Sequence, residues 1–387
     1  MSPHERPGAN GPCVWYLDGS ICAGSWLITL KILSEFRQHS GRLTPGTPSP
    51  SDVAVVIPSR NRWALLRTAL ASALAQPNVV QVVVVDDASS DATSAELALL
   101  QDSRVTVVRN DEPAGVAAAR NLGLSQVTAP WVAFLDDDDA WGPGHVAAML
   151  GAWRRSGVGP DRIGIVYSGY LVTTPDRRVV SVREAGGQDW LPHGLEEENV
   201  IGTPSCALLW REAVIEAGGF DERLAIVADW DLWVRVLAER RAVHCPEYLV
   251  GYMHHGGNMH FDGDRLVHEL VALQRKHGWK PRPGSVGPRG ERVPLYIASA
   301  YRAGGRRFPA AWWYLRSFRV RRHGRDLARA AGMMLGERMI ERSGLKRPPP
   351  VDPSLGAWLL ELADAERASG SDLPALPAAW RAGVPAG

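Results

Sequence analysis

The sequence predicts an α/β fold with a mostly parallel central sheet and flanking helices, followed by a helical, basic region at the carboxyl end. Continuous β-branched runs at residues 53–57 and 79–85 are typical of strands buried on both faces of a parallel sheet. These runs alternate with helical periodicity between residues 51 and 140, which favours a doubly wound sheet. Beyond about residue 262 the sequence is helical in pattern and rich in basic side chains.

The first half of the α/β domain, residues 51–140, alternates predicted strands with predicted helices. Each strand is a short apolar run, and each helix has apolar residues at helical spacing. Pro77 and Asn78 break the chain between the first helix and the second strand. The strands are expected at residues 53–57, 79–85, 105–108 and 131–135, and the helices at residues 62–75, 92–100 and, after a loop, within 114–125.

The second half of the domain, residues 141–261, has a different pattern. Short apolar runs indicate strands in a mixed or antiparallel arrangement, and two helices are predicted, the first of which ends at Gly218 and Gly219. The strands are expected at residues 163–167, 171–174, 179–182 and 206–210, and the helices at residues 212–217 and 229–239. Residues 1–50 are expected to form an N-terminal extension and linker, and residues 262–387 a helical C-terminal region.

Charge is unevenly distributed along the chain. The net charge of the 387 residues is +1, yet residues 275–347 contain 19 Lys/Arg and 4 Asp/Glu, an excess of +15. Such a region can meet phosphates, anionic lipid or nucleic acid. Four scattered cysteines without a CxxC motif indicate a reduced, intracellular chain and argue against a zinc site. The apolar run at residues 21–33 is shorter than the ~20 residues of a membrane span, so a cytoplasmic protein is expected.

Polar side chains follow three of the predicted parallel strands. Ser59 and Arg60 follow the first, Asp86 and Asp87 follow the second, and the acidic run 136–139 follows the fourth. Ligands of parallel α/β sheets bind beyond these strand ends. Four adjacent carboxylates form either a solvated acidic turn or a site for Mg2+ or Mn2+, which takes one or two carboxylates together with substrate phosphate oxygens.

Three further groups each have two interpretations. The Asp86 and Asp87 pair can accept hydrogen bonds from a nucleotide, or it can cap the helix that follows. Arg120 can meet a phosphate or support the acidic run, and otherwise it belongs to a packed helix. Asp229 and Asp231 stand at a helix start, where they supply either a general base or a capping pair.

Taken together, the segments VVIPSRNR, VVVVDDASSD, AGVAAARNLGL, WVAFLDDDDAW, GGFDE and ADWDLWVR occur in an order that resembles family 2 glycosyltransferases. The resemblance covers about residues 53–260. It implies a Rossmann-like fold of the GT-A type and a metal-dependent reaction with Mn2+ or Mg2+. The implied activity is the inverting transfer of a sugar from a nucleotide-sugar donor, UDP- or dTDP-linked, to an acceptor hydroxyl or amine.

The resemblance also implies residue roles on the donor side. Asp87 would contact the base, Asp136 would contact the ribose or the metal through water, and Asp138 would ligate the metal. His255 would lie near the metal or the diphosphate, although Met253 replaces the arginine of the family pattern. The full set of implied nucleotide contacts is Pro58, Ser59, Arg60, Asp86, Asp87, Arg120, Asp136 and Asp137.

On the acceptor side, the resemblance implies that Asp229 is the general base. Ala228 replaces the glutamate that usually precedes this aspartate, a departure that concerns the acceptor contacts more than the base. The expected acceptor contacts are Thr203, Trp230 and Asp231; the acceptor itself stays open, whether a small molecule, a glycan or a lipid-linked molecule.

Two other functions remain open at this point. A nucleotidyltransferase uses a similar sheet and a metal, but it would have a glycine-rich loop after the first strand, which residues 58–62 lack. A catalytically idle module that binds sugar nucleotide or glycan is compatible with Ala228 and Met253. In the basic region, residues 311–322 mix aromatic and arginine side chains, so this helix either contacts an anionic membrane or packs on the domain. Nucleic acid is not an expected partner, because no recognition motif accompanies the charge.

Overall fold

The computed structural model describes residues 49–187, 191, 193–281, 286–335, 352–376 and 380. The predicted N-terminal extension and linker lie outside the described residues except at their last two positions. Most of the proline-rich segment near residue 350 and the last seven residues also lie outside them.

From β1 to β4 the strands alternate with helices in the order that the sequence predicts. The strands are β1 (Val53–Ser59), β2 (Val79–Asp86), β3 (Val105–Arg109), β4 (Trp131–Phe134), β5 (Ala140–Trp141), β6 (Ile163–Ser168), β7 (Tyr170–Thr173), β8 (Val179–Arg183), β9 (Ala207–Trp210), β10 (Arg241–Cys245) and β11 (Val250–Met253). The helices are α1 (Trp63–Leu74), α2 (Thr93–Ala98), α3 (Val116–Ser125), α4 (His145–Ser156), α5 (Arg211–Glu216), α6 (Ala228–Glu239), α7 (Gly263–Lys276), α8 (Val293–Ala303), α9 (Arg307–Arg321), α10 (Gly324–Leu335) and α11 (Ala357–Ser369).

Seven strands form the main sheet, in the order β10-β6-β9-β4-β1-β2-β3. The pairs β1–β2, β2–β3, β1–β4 and β6–β10 are parallel, and only β9 runs antiparallel to its two neighbours. Alternate residues of β1 enter two different hydrophobic clusters, so the sheet is covered on both faces. The predicted α/β class with a mostly parallel sheet is therefore confirmed.

A second, four-stranded sheet has the order β5-β11-β7-β8 and mixes parallel with antiparallel pairs. It contains the predicted strands near residues 171–174 and 179–182. Three strands were not predicted, namely β5, β10 and β11. Each is only two to five residues long, and none has a continuous apolar run that would distinguish it from a loop.

The register of the parallel strands determines where the polar residues after them meet. Ser59 pairs with Asp86 across β1 and β2, and Val56 pairs with Phe134 across β1 and β4. The carboxyl ends of these three strands therefore meet at one edge, where the acidic run follows β4 directly. Ala88 follows β2 with a φ of 57°, a backbone conformation that an alanine rarely adopts.

The C-terminal helices share a core with the α/β domain. One hydrophobic cluster contains Trp230 and Trp233 of α6 together with Leu266 of α7, Ile297 of α8 and Trp313 of α9. The sequence predicts a boundary between the α/β domain and the C-terminal region at residues 261/262. Residues on both sides of this position share one hydrophobic core, and the division into two domains stays a prediction. No helix in the described part of the chain is long and apolar enough to cross a membrane.

Candidate active site

The acidic run after β4 directs its first two carboxylates to different neighbours. Asp136 forms an ion pair with Arg120, which lies on α3, and it accepts a hydrogen bond from Thr203 Oγ1 at 3.3 Å. Asp137 accepts from Ser59 Oγ at 2.7 Å. These contacts join the ends of β1 and β4 with the loop that precedes β9.

The third and fourth carboxylates face opposite environments. Asp138 Oδ2 lies 2.9 Å from His255 Nε2 and 3.1 Å from an Arg62 guanidinium nitrogen, which also contacts Asp137 at 3.1 Å. Asp139 is fully buried and accepts from Ser205 Oγ at 2.6 Å and the Met253 amide at 3.1 Å. Asp138 is 7% exposed and contacts the side chains of Arg62 and His255, whereas Asp139 fixes the loop.

Burial and mutual repulsion disfavour the charged forms of the carboxyl groups at this edge of the sheet. Burial and the neighbouring Asp138 raise the pKa of Asp137 to about 7, although Arg62 and Ser59 oppose the shift. Burial and the same neighbour raise the pKa of Asp139 well above its ordinary value. Arg62 touches two of these carboxylates and partly offsets the repulsion between their negative charges. A bound divalent cation would offset the same repulsion.

His255 donates to Asp138 in this arrangement. The Gly257 amide donates to His255 Nδ1 at 3.1 Å, so a neutral imidazole carries its proton on Nε2, directed at Asp138. Ligation of a metal through Nε2 would require the proton to move to Nδ1 and the Gly257 contact to break. His255 thus fits a metal site only in its other tautomer.

The two aspartates after β2 have different surroundings. Asp86 is 1% exposed and accepts from the Ser89 amide at 2.9 Å, from Ser94 Oγ and from Arg109. Burial works against this carboxylate, but these hydrogen bonds outweigh it and lower the pKa of Asp86. The expected nucleotide contact of Asp86 stays a prediction; in this structure its carboxylate is almost entirely buried and holds the loop after β2.

Asp87 organises the entrance to α3. Its carboxylate accepts from Asn110 Nδ2 at 2.7 Å, from the Ala114 amide at 2.8 Å and from the Gly115 amide at 2.9 Å. Gly115 has a φ of +90°, which glycine adopts without strain. A carboxylate has about four acceptor positions, so roughly one remains for a ligand.

The remaining predicted nucleotide contacts lie at the same edge. Pro58 is buried within β1, whereas Arg60 is exposed just beyond it. Ser59 is 4% exposed, and its hydroxyl is already donated to Asp137. Arg60 is thus the member of this group whose side chain is accessible.

Asp229 lies in the first turn of α6 and is only partly exposed. Its carboxylate accepts from the Trp230 amide at 2.6 Å and from Asn199 Nδ2 at 3.2 Å. Asn199 also exchanges two hydrogen bonds with the backbone of Gly202, both at 3.0 Å. Since Thr203 follows and contacts Asp136, a short chain of contacts links Asp229 to the acidic run.

Burial raises the pKa of Asp229 to about 7, although the Trp230 amide and Arg120 oppose the shift and Asp136 adds to it. A carboxyl group with this pKa accepts and releases protons near neutral pH, as a general base requires. The geometry and the electrostatics of Asp229 therefore agree with its predicted role.

The other two expected acceptor residues of α6 are placed differently. Asp231 is fully buried and bonded to Arg235, to Lys276 and to His277, the last at 2.9 Å. Burial would raise the pKa of Asp231, yet the hydrogen bond with His277 and the charges of Arg235 and Lys276 outweigh it and hold the pKa at about 2. Asp231 thus faces away from Asp229, because residues two apart on a helix face nearly opposite directions, and its expected acceptor contact stays a prediction.

Trp230 is also buried, at 3% exposure, and its indole donates to the Leu195 carbonyl at 2.8 Å. The side chain is thus fully used within the core, and an acceptor would not meet its ring. Thr203 is 9% exposed and stays with the expected acceptor group through its contact with Asp136.

Glu269 is a polar residue near the site that the sequence did not reveal. It lies on α7, is 3% exposed, and one of its oxygens accepts from the amides of residues 225, 226 and 227 at 3.0, 2.7 and 3.2 Å. Its other oxygen accepts from Arg265 at 2.8 Å. The three amides directly precede α6, so Glu269 fixes the start of the helix that carries Asp229.

Aromatic rings that sequence reasoning also missed surround the acceptor side. Tyr170 and Tyr252 have ring centroids 5.4 Å apart, and Tyr252 Oη lies 3.2 Å from His260 Nδ1. A Cβ atom added to Gly202 would lie 2.8 Å from Tyr170, and Gly202 has a φ of +94°, so only glycine fits there. Tyr296 of α8 extends this group, at 37% exposure and with its ring 6.5 Å from that of His260.

The fold and the site together define an α/β domain of the kind that binds nucleotides at the carboxyl edge of its sheet. Residues 54–218 match the model of the family described as Glycosyl transferase family 2. This match confirms the resemblance to family 2 glycosyltransferases that the sequence shows, for residues 54–218.

Two relatives and one solved structure show the extent of the similarity. The succinoglycan biosynthesis protein ExoU of Rhizobium meliloti (strain 1021) is 30% identical over 199 residues, which cover 49% of this chain and 58% of that protein. The pre-mycofactocin glycosyltransferase of Mycobacterium tuberculosis (strain ATCC 25618 / H37Rv) is 29% identical over 260 residues, which cover 66% of this chain and 52% of that protein. The chain thus spans between half and six-tenths of the length of these relatives.

The solved structure is the mannosyltransferase PcManGT from Pyrobaculum calidifontis in complex with GDP-Man and Mn2+. It is 18% identical with a TM-score of 0.46, and the match covers 88% of this chain and 95% of that chain.

Proposed function

We propose that this protein is an inverting glycosyltransferase that moves a sugar from a nucleoside diphosphate sugar, UDP- or dTDP-linked, to an acceptor hydroxyl or amine. The observation that carries the proposal is Asp229. This carboxylate has a pKa near 7 and is connected through Asn199, Gly202 and Thr203 to the acidic run at the nucleotide edge. A base and a donor site built as one unit are what sugar transfer needs.

A divalent metal, Mn2+ or Mg2+, is the proposed cofactor. The described residues contain no group of three or more side chains that could hold a metal ion, so the protein would supply at most Asp138 and His255. This small donor set fits Mg2+-like ions, which take one or two carboxylates and complete their shell with substrate phosphate oxygens and water. Bound there, such an ion would neutralise the charge of the departing diphosphate.

The proposed reaction uses the chain's own residues as follows. Asp229 accepts the proton of the acceptor hydroxyl or amine, whose oxygen or nitrogen then bonds to the anomeric carbon of the donor sugar. The bond from that carbon to the diphosphate oxygen breaks with its electron pair, and attack from the opposite face inverts the anomeric configuration. Arg62, which lies against Asp137 and Asp138, is placed to meet the negative charge of the leaving group.

Donor placement follows from the strand edge. Asp87 keeps about one acceptor position for the base, and Arg60 is exposed beside it. Asp136 is held by Arg120 and Thr203 with its carboxylate partly exposed, which suits a contact to the ribose. These assignments keep the predicted nucleotide contacts except Asp86, whose proposed role is to hold the loop after β2.

One observation keeps a catalytically idle sugar-nucleotide-binding module as a second candidate. Arg62 contacts the same Asp138 oxygen that a metal would use, and His255 donates to that oxygen. A module without transfer would keep nucleotide binding but would need neither the metal nor the base.

The experiment that tests the donor site is a thermal-shift panel of UDP-, dTDP- and GDP-sugars, each with and without Mn2+. Because a ligand of the folded state raises apparent stability by mass action, we expect a metal-dependent increase in Tm with one nucleotide class. Asp138→Ala should lose the increase, while Asp364→Ala, whose side chain is 76% exposed, serves as the matched control. Metal-dependent shifts without sugar transfer to any glycan, lipid-linked or small-molecule acceptor would favour the idle module, and no shift with any donor would contradict the proposal.

A further inference from the structure

Helix α9 presents an aromatic and basic face that does not belong to the active site. Its buried face, which includes Trp313, Tyr314 and Ser317, packs into the core. Its opposite face carries Phe308, Trp312 and Leu315, which are 74%, 51% and 40% exposed. The sequence leaves two interpretations of this helix open. Packing describes its buried face, and its exposed face is free to contact a surface.

The exposed residues of α9 form one line along the helix. Phe308, Trp312, Leu315 and Arg319 are separated by four, three and four residues, and exposed Arg322 directly follows the helix with a φ of 56°. This spacing keeps side chains on a single face of an α-helix. We name these five residues the α9 face; its first half is apolar and its second half is cationic.

Charge around the α9 face is almost entirely positive. Residues 293–335 contain nine arginines and one carboxylate, Asp326, which is 1% exposed and bonded to Arg321 and Arg329. Among the residues that the structure describes, neither Arg319 nor Arg322 forms an ion pair with a carboxylate. An anionic partner would therefore meet guanidinium groups that no described carboxylate neutralises.

The positive groups are also crowded against the aromatic rings. The Arg316 guanidinium carbon lies 4.3 Å from the Trp312 ring centroid and 5.1 Å from that of Trp313. Burial and the neighbouring Arg319 lower the pKa of Arg316. Phosphate groups placed over this face would offset the repulsion between the arginines and would pair with them in bidentate geometry.

From this face we infer that the protein docks on the surface of an anionic lipid bilayer through α9. Tryptophan and phenylalanine favour the boundary between lipid headgroups and acyl chains, and arginine pairs with lipid phosphates. Partly inserted rings next to unpaired guanidinium groups combine the two contributions that interfacial helices use, apolar burial and attraction to anionic lipid. The inference does not depend on the proposed transferase activity.

The test is flotation of the full chain with vesicles of phosphatidylcholine alone and of phosphatidylcholine mixed with phosphatidylglycerol. We expect binding to the anionic vesicles that weakens as salt is raised, because exposed charges are screened. Each basic side chain near such a surface strengthens binding by roughly fivefold, so Arg319→Glu/Arg322→Glu should weaken it at least about 25-fold. Phe308→Ser/Trp312→Ser should weaken it at least about tenfold.

Matched controls are Leu99→Ser, at a side chain 73% exposed elsewhere on the molecule, and Arg178→Glu, whose side chain is also 73% exposed. Both should bind vesicles as the wild type does. Circular dichroism and the donor thermal shift should be unchanged in the α9 variants, which separates this inference from the proposed function. Equal binding to neutral and anionic vesicles, wild-type binding by the α9 variants, or preferential binding of an RNA oligonucleotide through the same face would overturn it.

Discussion

The donor edge and the base region of this site are built in different ways. At the donor edge, the important side chains follow strands directly, so residues that are close in sequence, such as Asp136 to Asp139, are also close in space. In the base region, Asp229 depends on Asn199 thirty positions earlier and on an α6 entrance held by Glu269 forty positions later. A site can thus be local in sequence on one side and assembled by tertiary structure on the other.

The two regions also differ in what burial does to their carboxylates. Asp137 and Asp229 both have a pKa raised to about 7, and burial is the largest cause in each. At Asp137 the next cause is the neighbouring Asp138, which a bound cation would neutralise, whereas Asp229 lies against two neutral amide donors. This difference supports the proposed roles, in which Asp137 belongs to the nucleotide and metal edge and Asp229 is the general base.

The largest expected effect is on the base. Asp229→Asn keeps the size and the hydrogen-bonding shape of the side chain but cannot accept a proton from the acceptor. We expect the rate of sugar transfer to fall roughly a hundredfold to ten-thousandfold, with donor binding unchanged. The measurement is kcat for transfer together with the donor-dependent thermal shift.

The same variant provides its own test of folding. Because the folded-state pKa of Asp229 is raised, ionising it costs stability that the protein loses as pH rises toward 7, and the asparagine avoids this cost. The variant should therefore be more stable than the wild type at pH 8, by on the order of 1 to 3 kcal/mol, and similar to it at pH 4. Wild-type activity in Asp229→Asn would remove this residue from the mechanism.

The second effect concerns Glu269, which connects the base region to α7. Glu269→Ala would leave one buried and two partly buried amides without their acceptor and should cost about 2–4 kcal/mol of folding stability. Glu269→Gln keeps the shape of the side chain without its charge and should fold. The start of α6 would be held less firmly, and a displacement of Asp229 by about 1 Å should lower kcat roughly tenfold. The measurement is urea unfolding of both variants and kinetics of the glutamine variant.

A positioning role and a purely structural role for Glu269 predict different kinetics. Positioning predicts a lower kcat at an unchanged KM for the donor, because the donor edge does not contact Glu269. A structural role predicts loss of folded protein with normal kcat per folded molecule. Arg265→Gln, which removes the other partner of Glu269, is the matched control and should retain most of the activity.

The contrast between the two regions also explains what could be predicted from the sequence. Strands β1 to β4 and the acidic run follow from apolar runs and the residues after them, which are local patterns. Glu269 and Asn199 could not be found this way, because their importance arises from contacts made only after folding. Asp231 shows a different limit: the DWD segment draws attention to both aspartates, although helical periodicity directs them to opposite faces.

The smallest expected effect is a shift in pH dependence, and it tests the link between the two regions. Transfer requires ionised Asp229, so kcat/KM should rise with pH through about 7 and then level off. Asn199 donates to this carboxylate and favours its charged form, so Asn199→Ala should raise the pKa of Asp229 and move the midpoint to higher pH by roughly half a unit to one unit.

The matched control for this shift is Thr203→Val, which removes the hydroxyl contact to Asp136 but keeps the hydrogen bond between Asn199 and Asp229. Its midpoint should stay near that of the wild type, since burial remains the main cause of the raised pKa. A shift of equal size in both variants would mean that the loop between the two regions, rather than the Asn199 hydrogen bond, sets the proton affinity of Asp229. A shift to lower pH in Asn199→Ala would contradict the assignment of Asp229 as the titrating base, because losing a donor to a carboxylate can only weaken its charged form.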